Sequence, residues 1–391
     1  MEEPIRVGIV GARFAAKFHW NALSRVYGVP VQVVGVTSKT EEARDAFAKE
    51  KGIRSFATFE ELCGAVDVVD LCSPPSSHAE LAVQALKLGK HVIIEKPFTG
   101  FYGAGVENFR GDTFAKQRML DEAMANCDRV LVAAKASGKK VCYAENWVYA
   151  PAIQKEREIL AKSGGQVLWI IGEESHSGSH SPYYGIWKFS GGGSLVGKGC
   201  HPLSAALYLK RVEGEARNGL PIRPATVSAR THEITKLKTF RDEGYLRTSY
   251  DDIEDFAQTH IQFADGTVAD IFASELVLGG VHNWLEVMCN NHRTRCNLNP
   301  IDALETFNPK EELLKDVYIT EKLGTKQGWS RPAPDEDWQH GYPQEFQDFM
   351  ECIANDREPL SGLELARDTI ATIYAGYLAA ERGGAEVKIP T

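Results

Sequence analysis

The sequence predicts two domains: a parallel α/β sheet domain over residues 1–150, and a domain built on an open, largely antiparallel sheet over residues 151–391. In the first part, short continuous apolar runs alternate with segments of helical periodicity, which is typical of buried parallel strands joined by crossover helices. From residue 166 onward, apolar and polar residues alternate over long segments, which is typical of strands with one solvated face. A chain of 391 residues is long enough for two full cores.

Charge, the N-terminal segment and the cysteines narrow the class of protein. A net charge of −9 argues against nucleic acid or an anionic membrane as a partner. The opening segment, MEEPIRVGIV, lacks the basic and apolar regions of a secretory signal, and no apolar run reaches membrane-spanning length. The eight cysteines form no C-x-x-C pair and several lie in apolar strands, which favours reduced thiols over disulfides. We therefore expect a cytoplasmic protein.

The most informative stretch, residues 66–98, predicts a strand, a helix and a second strand. The first strand ends abruptly at Ser73-Pro74, because proline cannot donate to a strand ladder. The second apolar run, residues 91–94, leads directly toward Lys96. Parallel sheets bind ligands beyond the carboxyl ends of their strands, so we expect Lys96 to project toward a ligand rather than into bulk solvent.

A turn suited to a dinucleotide follows the first predicted strand, Ile5–Val10. Set against the fingerprint G-x-G-x-x-G/A, Gly11 and Ala16 match, but Arg13 takes the place of the middle glycine. Gly11 still permits the tight turn, and the amides that follow can face a pyrophosphate at a helix N-terminus. We therefore predict a Rossmann-type domain whose cofactor contacts include Gly11, Arg13, Phe14 and Ala15.

The end of the second predicted strand, Val31–Thr37, bears on the choice of cofactor. NAD enzymes usually carry an acid at this point to bind the ribose 2′-hydroxyl, whereas Ser38 and Lys39 stand here. Together with Arg13, these two side chains are suited to a 2′-phosphate. The sequence thus leaves NAD or NADP open and favours NADP, although NAD can bind without the acid.

The motif Glu95-Lys96-Pro97, with the HAELA and GKHV segments before it, resembles the Gfo/Idh/MocA family of nicotinamide-dependent sugar and polyol oxidoreductases. The resemblance implies that Lys96 lies beside the nicotinamide and the reacting carbinol. It also implies a homo-oligomer, a dimer or tetramer, because the family's second sheet often packs against another subunit. The further cofactor contacts that it implies are Ser73, Pro74, His78, Glu95, Lys96 and Asn146.

A second stretch, residues 191–202, resembles the family's segment GG-x-L-x-D-x-G-x-H. His201 matches the histidine, which in the family is taken as a general acid/base or a substrate ligand. The family's assisting aspartate falls at Gly197 here. The triple glycine predicts a flexible loop that leads to a helix N-terminus, with His201 facing the cleft.

Two ways of compensating for the missing aspartate remain open. In the first, Glu145, Glu174 or Asp255 holds the imidazole from elsewhere in the chain, since a histidine base needs a group that fixes its tautomer. Alternatively, Lys96 carries the proton transfer and His201 is its hydrogen-bonding partner.

The predicted substrate site draws on an aromatic loop and a nearby lysine. Tyr184 and Trp187 lie in a Ser/Gly-rich loop that either stacks on a sugar ring or contacts another subunit. Lys198 is either solvated or pairs with a carboxylate, sulfonate or phosphate of the substrate. The histidines of this loop fit no tetrahedral template, so we expect no metal. The full predicted substrate set is Lys96, Glu145, Tyr184, Trp187, Lys198 and His201.

Together with these residues, the resemblance implies an NAD(P)-dependent oxidoreductase that acts on a secondary alcohol of a carbohydrate or cyclic polyol, with Lys96 and His201 as catalytic residues. One alternative is a glycoside hydrolase that uses NAD transiently, so that oxidation permits elimination of the aglycone. Another alternative is a non-catalytic sensor that binds a dinucleotide. The presence of both Lys96 and His201 argues against the sensor, which has no need to keep them.

Overall fold

The structure of the protein is a computed structural model, which describes residues 3–181, 183–299 and 303–391. The first sheet has six parallel strands in the order β3-β2-β1-β4-β5-β6. Its strands are β1 (Ile5–Val10), β2 (Val31–Thr37), β3 (Arg54–Ser55), β4 (Val68–Leu71), β5 (His91–Glu95) and β6 (Val141–Ala144). The helices of this part of the chain are α1 (Phe14–Leu23), α2 (Glu41–Lys51), α3 (Phe59–Ala65), α4 (His78–Lys87) and α5 (Lys116–Ser137).

Local sequence explains where these elements begin and end. The side chains of the central strands β4 and β5 are almost all fully buried, as continuous apolar runs predict for a sheet covered on both faces. Helix α3 begins at a capping box, in which Thr58 and Glu61 each bond to the other's backbone amide. Helices α2 and α5 end at Gly52 and Gly138, both in the left-handed conformation that glycine adopts without strain.

The second sheet has seven strands in the order β12-β11-β7-β10-β9-β8-β15, and it is antiparallel except between β7 and β10. Its strands are β7 (Val167–Ser175), β8 (Pro224–His232), β9 (Phe256–Phe263), β10 (Val268–Ser274), β11 (His282–Cys289), β12 (Arg293–Asn297) and β15 (Val387–Lys388). A small separate hairpin consists of β13 (Thr306–Asn308) and β14 (Gly328–Ser330). The helices of this region are α6 (Pro151–Ser163), α7 (Trp187–Ser190), α8 (Cys200–Asn218), α9 (Glu336–His340), α10 (Tyr342–Ala354) and α11 (Leu363–Glu381).

The predicted fold class is confirmed, including the one-sided character of the second sheet. Along β9 the buried side chains alternate with exposed ones. The buried face is covered in part by α11, whose Gly376 approaches Ala229 and Thr259 so closely that an added Cβ would lie 3.7 Å from each. The short strands β12 to β15 were not predicted. The boundary at residues 150 and 151 stays a prediction.

The C-terminal helices return to the first sheet. The ring of Phe346 in α10 contacts the ring of His19 in α1 edge-on, with centroids 4.7 Å apart. Before α11, the carbonyl of Ser361 accepts a hydrogen bond from the amide of Tyr143 at 2.9 Å, so this segment lies along the outer edge of β6. Among the helices that the structure describes, none combines the length and the apolar character needed to cross a bilayer.

The prediction of a flexible loop before His201 is wrong. Leu195–Gly199 form a π-helical turn that continues directly into α8, and this turn is buried. The carboxylate of Glu254 fixes its start by accepting hydrogen bonds from the amides of Gly193 and Leu195, at 3.0 and 2.9 Å. Because these bonds satisfy donors at the helix start, the glycine-rich segment is held in place despite its composition.

Candidate active site

Lys96 connects the two parts of the chain. It follows the last residue of β5, and its Nζ donates a hydrogen bond of 2.9 Å to the carbonyl of Gly197 in the π-helical turn. The side chain is half-buried. The amine therefore lies at the carboxyl edge of the parallel sheet and against the start of α8, the two places where the sequence predicts the reacting groups.

His201 is held between two carboxylates. Its Nδ1 lies 2.5 Å from Oε1 of Glu145, which follows β6, and its Nε2 lies 3.9 Å from Oε2 of Glu174 in β7. The imidazole is 5% exposed and Glu145 is fully buried. The ring of Trp147 stacks on the imidazole at a centroid distance of 6.0 Å. Glu145 is thus the group that fixes the orientation of His201, because a carboxylate on Nδ1 keeps that nitrogen protonated.

The charges of this cluster shift its titration. Burial by itself lowers the pKa of His201, but the carboxylates of Glu145 and Glu174 outweigh burial, so the pKa is raised above its ordinary value. Burial likewise disfavours the charged form of Lys96, yet its neighbours Cys200, Glu95 and Glu174 outweigh burial and raise the pKa of the amine. Because burial keeps the pKa of the Cys200 thiol well above its ordinary value, that thiol is uncharged near neutral pH, and the two carboxylates supply the negative potential. Lys96 is accordingly an ammonium group.

Tyr184 fills the space in which the family pattern has an aspartate. A Cβ added at Gly197 would lie 2.6 Å from the Tyr184 hydroxyl, so no longer side chain fits there. That hydroxyl donates to Oε1 of Glu275 at 2.7 Å, and Lys198 forms a buried ion pair with the same carboxylate. Lys198 is therefore not solvated, and Glu275 is a residue of this region that the sequence analysis missed. Its only signal was an acid directly after the apolar residues of β10.

Asp255 and Trp187 do not join the cluster. The carboxylate of Asp255 accepts hydrogen bonds from the amides of Ile234 and Thr235, both at 2.7 Å. Trp187 is 2% exposed and its indole Nε1 donates to the carbonyl of Phe101 at 3.1 Å. The structure thus places Trp187 in the core rather than beside Lys96.

The turn between β1 and α1 has the shape that a dinucleotide requires. Gly11 has φ = +113°, and a Cβ there would lie 2.6 Å from the carbonyl oxygen of Cys72. Only glycine fits this position without strain. Helix α1 begins after Arg13 without a side-chain cap, so no capping side chain satisfies its first amides, and Phe14 beside them is 67% exposed.

Four other predicted cofactor residues follow strands β2 and β4. Ser38 and the exposed Lys39 follow β2, and Ser73 follows β4, where its hydroxyl lies 2.7 Å from that of Ser77. The ring nitrogens of His78 lie 3.0 and 2.9 Å from the carbonyls of Pro97 and Ser73, so the buried ring ties the ends of β4 and β5 together.

Three further predicted cofactor residues differ in exposure and in contacts. Pro74 is exposed at the turn, and Glu95 is half-buried beneath Lys96. Asn146 is buried, and its Nδ2 donates to the carbonyl of His340 at 2.8 Å. Asn146 thus ties the end of β6 to α9.

Known proteins resemble this chain in both parts. Family models for the oxidoreductase family match residues 5–110, as its NAD-binding Rossmann fold, and residues 175–389, as its C-terminal alpha/beta domain. UDP-N-acetylglucosamine 3-dehydrogenase of Acidithiobacillus ferrooxidans is 33% identical over 95 residues, which are 24% of this chain and 29% of that protein. Levoglucosan dehydrogenase of Pseudarthrobacter phenanthrenivorans is 25% identical over 291 residues, 69% of this chain and 67% of that one.

A solved structure agrees with the whole fold. GenD2 from gentamicin A biosynthesis, in complex with NAD, superposes with a TM-score of 0.79 at 21% identity, covering 100% of this chain and 98% of that one. At this identity the likeness concerns the fold. With the two family matches it leads to one conclusion: the chain belongs to the Gfo/Idh/MocA oxidoreductase family, which joins an NAD-binding Rossmann domain to a C-terminal alpha/beta domain.

Proposed function

We propose that this protein is an NAD(P)-dependent oxidoreductase that moves a hydride between nicotinamide and a secondary alcohol of a sugar, sugar derivative or cyclic polyol. The observation that carries the proposal is the hydrogen bond from Lys96 to the turn that leads into the His201–Glu145 pair. Lys96 bonds to Gly197, one helical turn before His201, and Glu174 acts electrostatically on both side chains. An ammonium donor and an imidazole thus lie within electrostatic range of each other at the carboxyl edge of the parallel sheet.

The residues around Gly11 fit the pyrophosphate of the cofactor. The left-handed glycine brings the chain close to the end of β4, and the uncapped start of α1 offers amides to an anion. Exposed Lys39 at the end of β2 supports a preference for NADP, because a 2′-phosphate would find a cation there rather than an acid. When bound, the nicotinamide supplies the hydride acceptor for alcohol oxidation.

In this proposal Lys96 and His201 divide the work at the alcohol. The Lys96 ammonium donates a hydrogen bond to the substrate oxygen and stabilises negative charge that develops there. Nε2 of neutral His201 accepts the hydroxyl proton, since Nδ1 is committed to Glu145. In the reverse direction the imidazolium returns that proton. Glu145 acts through His201 and is a positioning residue.

The names of the relatives support the substrate class. Enzymes named for UDP-N-acetylglucosamine, glucose 6-phosphate and levoglucosan all act as dehydrogenases on sugars or sugar derivatives. The chain spans 29% and 26% of the length of the first two, so the particular sugar does not follow from them.

The direct test follows reduced cofactor by absorbance while the protein is offered NAD or NADP with a panel of sugars and polyols. We expect turnover with at least one compound, and Lys96→Met should abolish it while cofactor binding persists. Lys87→Met, which removes an exposed lysine on α4, is the matched control and should retain turnover. Absence of turnover across the panel would contradict the proposal. Release of an aglycone without accumulated reduced cofactor would support the hydrolase alternative instead.

We further propose that the protein works as a homo-oligomer in the cytoplasm. Strand β7 of the second sheet carries two large apolar side chains, Leu168 and Trp169, which are 46% and 40% exposed. Exposed apolar side chains of this size on an open sheet favour a contact with another copy of the chain. Analytical ultracentrifugation tests this: Trp169→Glu should shift the protein to a smaller species, and a wild-type monomer at micromolar concentration would contradict it.

A further inference from the structure

Three metal-ligating side chains meet far along the chain from Lys96, at the edge of the second sheet. Glu156 comes from α6, and Cys289 and His292 come from the turn between β11 and β12. The carboxylate oxygen, the thiol sulfur and a ring nitrogen of these residues all lie within 4.8 Å of one another. The spacing Cys-x-x-His places two of these groups at the ends of a single two-residue turn.

The hydrogen bonds of His292 determine which of its ring nitrogens has a lone pair for a metal ion. Nδ1 lies 2.6 Å from Oδ1 of Asn291, whose own Nδ2 donates to the carbonyl of Ser163 at 3.2 Å. Because the Asn291 amide is thereby oriented, Nδ1 must carry the proton. In the neutral imidazole Nε2 is then an acceptor, yet it lies 3.0 Å from Oε1 of Glu156. Two acceptors at this distance need a positive charge between them, either a proton or a metal ion.

Glu156 also has an unused ligand atom. The residue is fully buried, and its Oε2 has no hydrogen-bond partner among the residues that the structure describes. Burying a carboxylate oxygen without a partner is costly, so native structures usually supply a donor or a metal at such an atom. The second oxygen of Glu156 is therefore a free ligand position beside Cys289 and His292.

The surrounding backbone keeps the three groups together. The amide of Cys289 donates to the carbonyl of His292 at 2.8 Å, which closes the turn. At Gly165, which follows α6, an added Cβ would lie 2.5 Å from Oδ1 of Asn291 and 2.9 Å from Cε1 of His292. This glycine leaves the room in which the imidazole is oriented toward Glu156.

We propose that Glu156, Cys289 and His292 bind one Zn²⁺ ion, which cross-links α6 to the β11–β12 turn. A thiolate, an imidazole and a carboxylate form a donor set that zinc accepts, and harder cations such as Mg²⁺ or Ca²⁺ do not favour the sulfur. The second Glu156 oxygen or a water molecule completes four-coordination. This site is separate from the proposed redox centre and does not depend on its chemistry.

Binding requires that the Cys289 thiol lose its proton. When the ion binds, the S–H bond breaks, a Zn–S bond forms, and the proton passes to solvent. Zinc affinity should therefore rise with pH across the neutral range.

The test is equilibrium dialysis of chelator-stripped full-length protein against Zn²⁺ alone, with the metal counted by mass spectrometry. We expect one zinc per chain. Cys289→Ser and His292→Gln should each weaken binding by more than the roughly 10–100-fold that loss of an outer-shell partner costs. Cys63→Ser, which removes a buried thiol in α3, is the matched control and should retain the ion.

Two further measurements keep the proposal independent of folding defects. Co²⁺ in place of zinc should give a thiolate-to-cobalt charge-transfer absorption in the wild-type protein and in Cys63→Ser, and Cys289→Ser should lose it while its circular dichroism is unchanged. Gly165→Ala, which displaces the imidazole without removing a ligand, should weaken zinc binding. Less than one zinc per chain at saturation, or binding that survives both Cys289→Ser and His292→Gln, would overturn the proposal.

Discussion

Replacing Glu145 by glutamine tests whether this carboxylate positions the base. The amide still accepts a hydrogen bond from Nδ1 of His201 across the observed 2.5 Å, but without charge. A hydrogen bond to a charged group contributes about 1.5–3 kcal/mol and a neutral one about 0.5–1.5 kcal/mol. The difference is about 1–1.5 kcal/mol, so kcat/KM for alcohol oxidation should fall by about tenfold.

The pH profile of the same variant gives a second, independent result. Oxidation needs neutral His201, so activity is lost as pH falls through the pKa of the imidazole. Because the Glu145 carboxylate raises that pKa, the acid limb of kcat/KM should move to lower pH in Glu145→Gln. Asp255→Asn, which alters a buried carboxylate that bonds elsewhere, should leave the limb in place. An unchanged limb in Glu145→Gln would refute the role of Glu145.

Three other substitutions test the cofactor turn, the buried ion pair and the coenzyme preference. Gly11→Ala forces a Cβ against the Cys72 backbone at positive φ, so the free energy of unfolding should fall by about 1–3 kcal/mol and NAD(P) binding should weaken. Denaturation measures the first effect and cofactor titration the second. Wild-type values in both assays would contradict the geometry. Glu275→Gln leaves the buried ammonium of Lys198 without its counter-charge, so the free energy of unfolding in urea should fall by about 3–5 kcal/mol. A fall of less than about 1 kcal/mol is typical of a surface ion pair and would contradict this prediction. Lys39→Asp should reduce affinity for NADP relative to NAD by about ten- to a hundredfold, since a charge-assisted hydrogen bond contributes about 1.5–3 kcal/mol. Fluorescence titrations with the two cofactors measure this ratio. An unchanged ratio would show that Lys39 does not bind the 2′-phosphate.

Local patterns were sufficient for the strands and for the positions of Lys96 and Gly11. A strand buried on both faces is mostly apolar, so β4 and β5 could be located from the sequence. The residue that leaves such a strand at its carboxyl end reaches the ligand edge by topology alone. For this reason the sequence placed Lys96 correctly at the end of β5 without knowledge of the second domain.

Contacts between distant segments could not be predicted in the same way. Glu145 was one of three acids considered for His201, and only the packing of α8 against the end of β6 brings these two together. The segment 191–199 misled because glycine composition indicates mobility, whereas the Glu254 carboxylate from the second sheet holds its amides. Trp187 in turn is drawn into the core because its indole finds a carbonyl partner there.

The strand-like segment beside β6 has a consequence for shortened forms of the chain. Its contacts at Cys142 and Tyr143 cover part of the outer edge of β6, which is one end of the parallel sheet. A fragment that stopped before Ser361 would leave backbone groups of this edge unpaired next to apolar side chains, and such an edge is prone to self-association. The final thirty or so residues therefore protect the Rossmann domain from aggregation, although they lie farthest from it along the sequence.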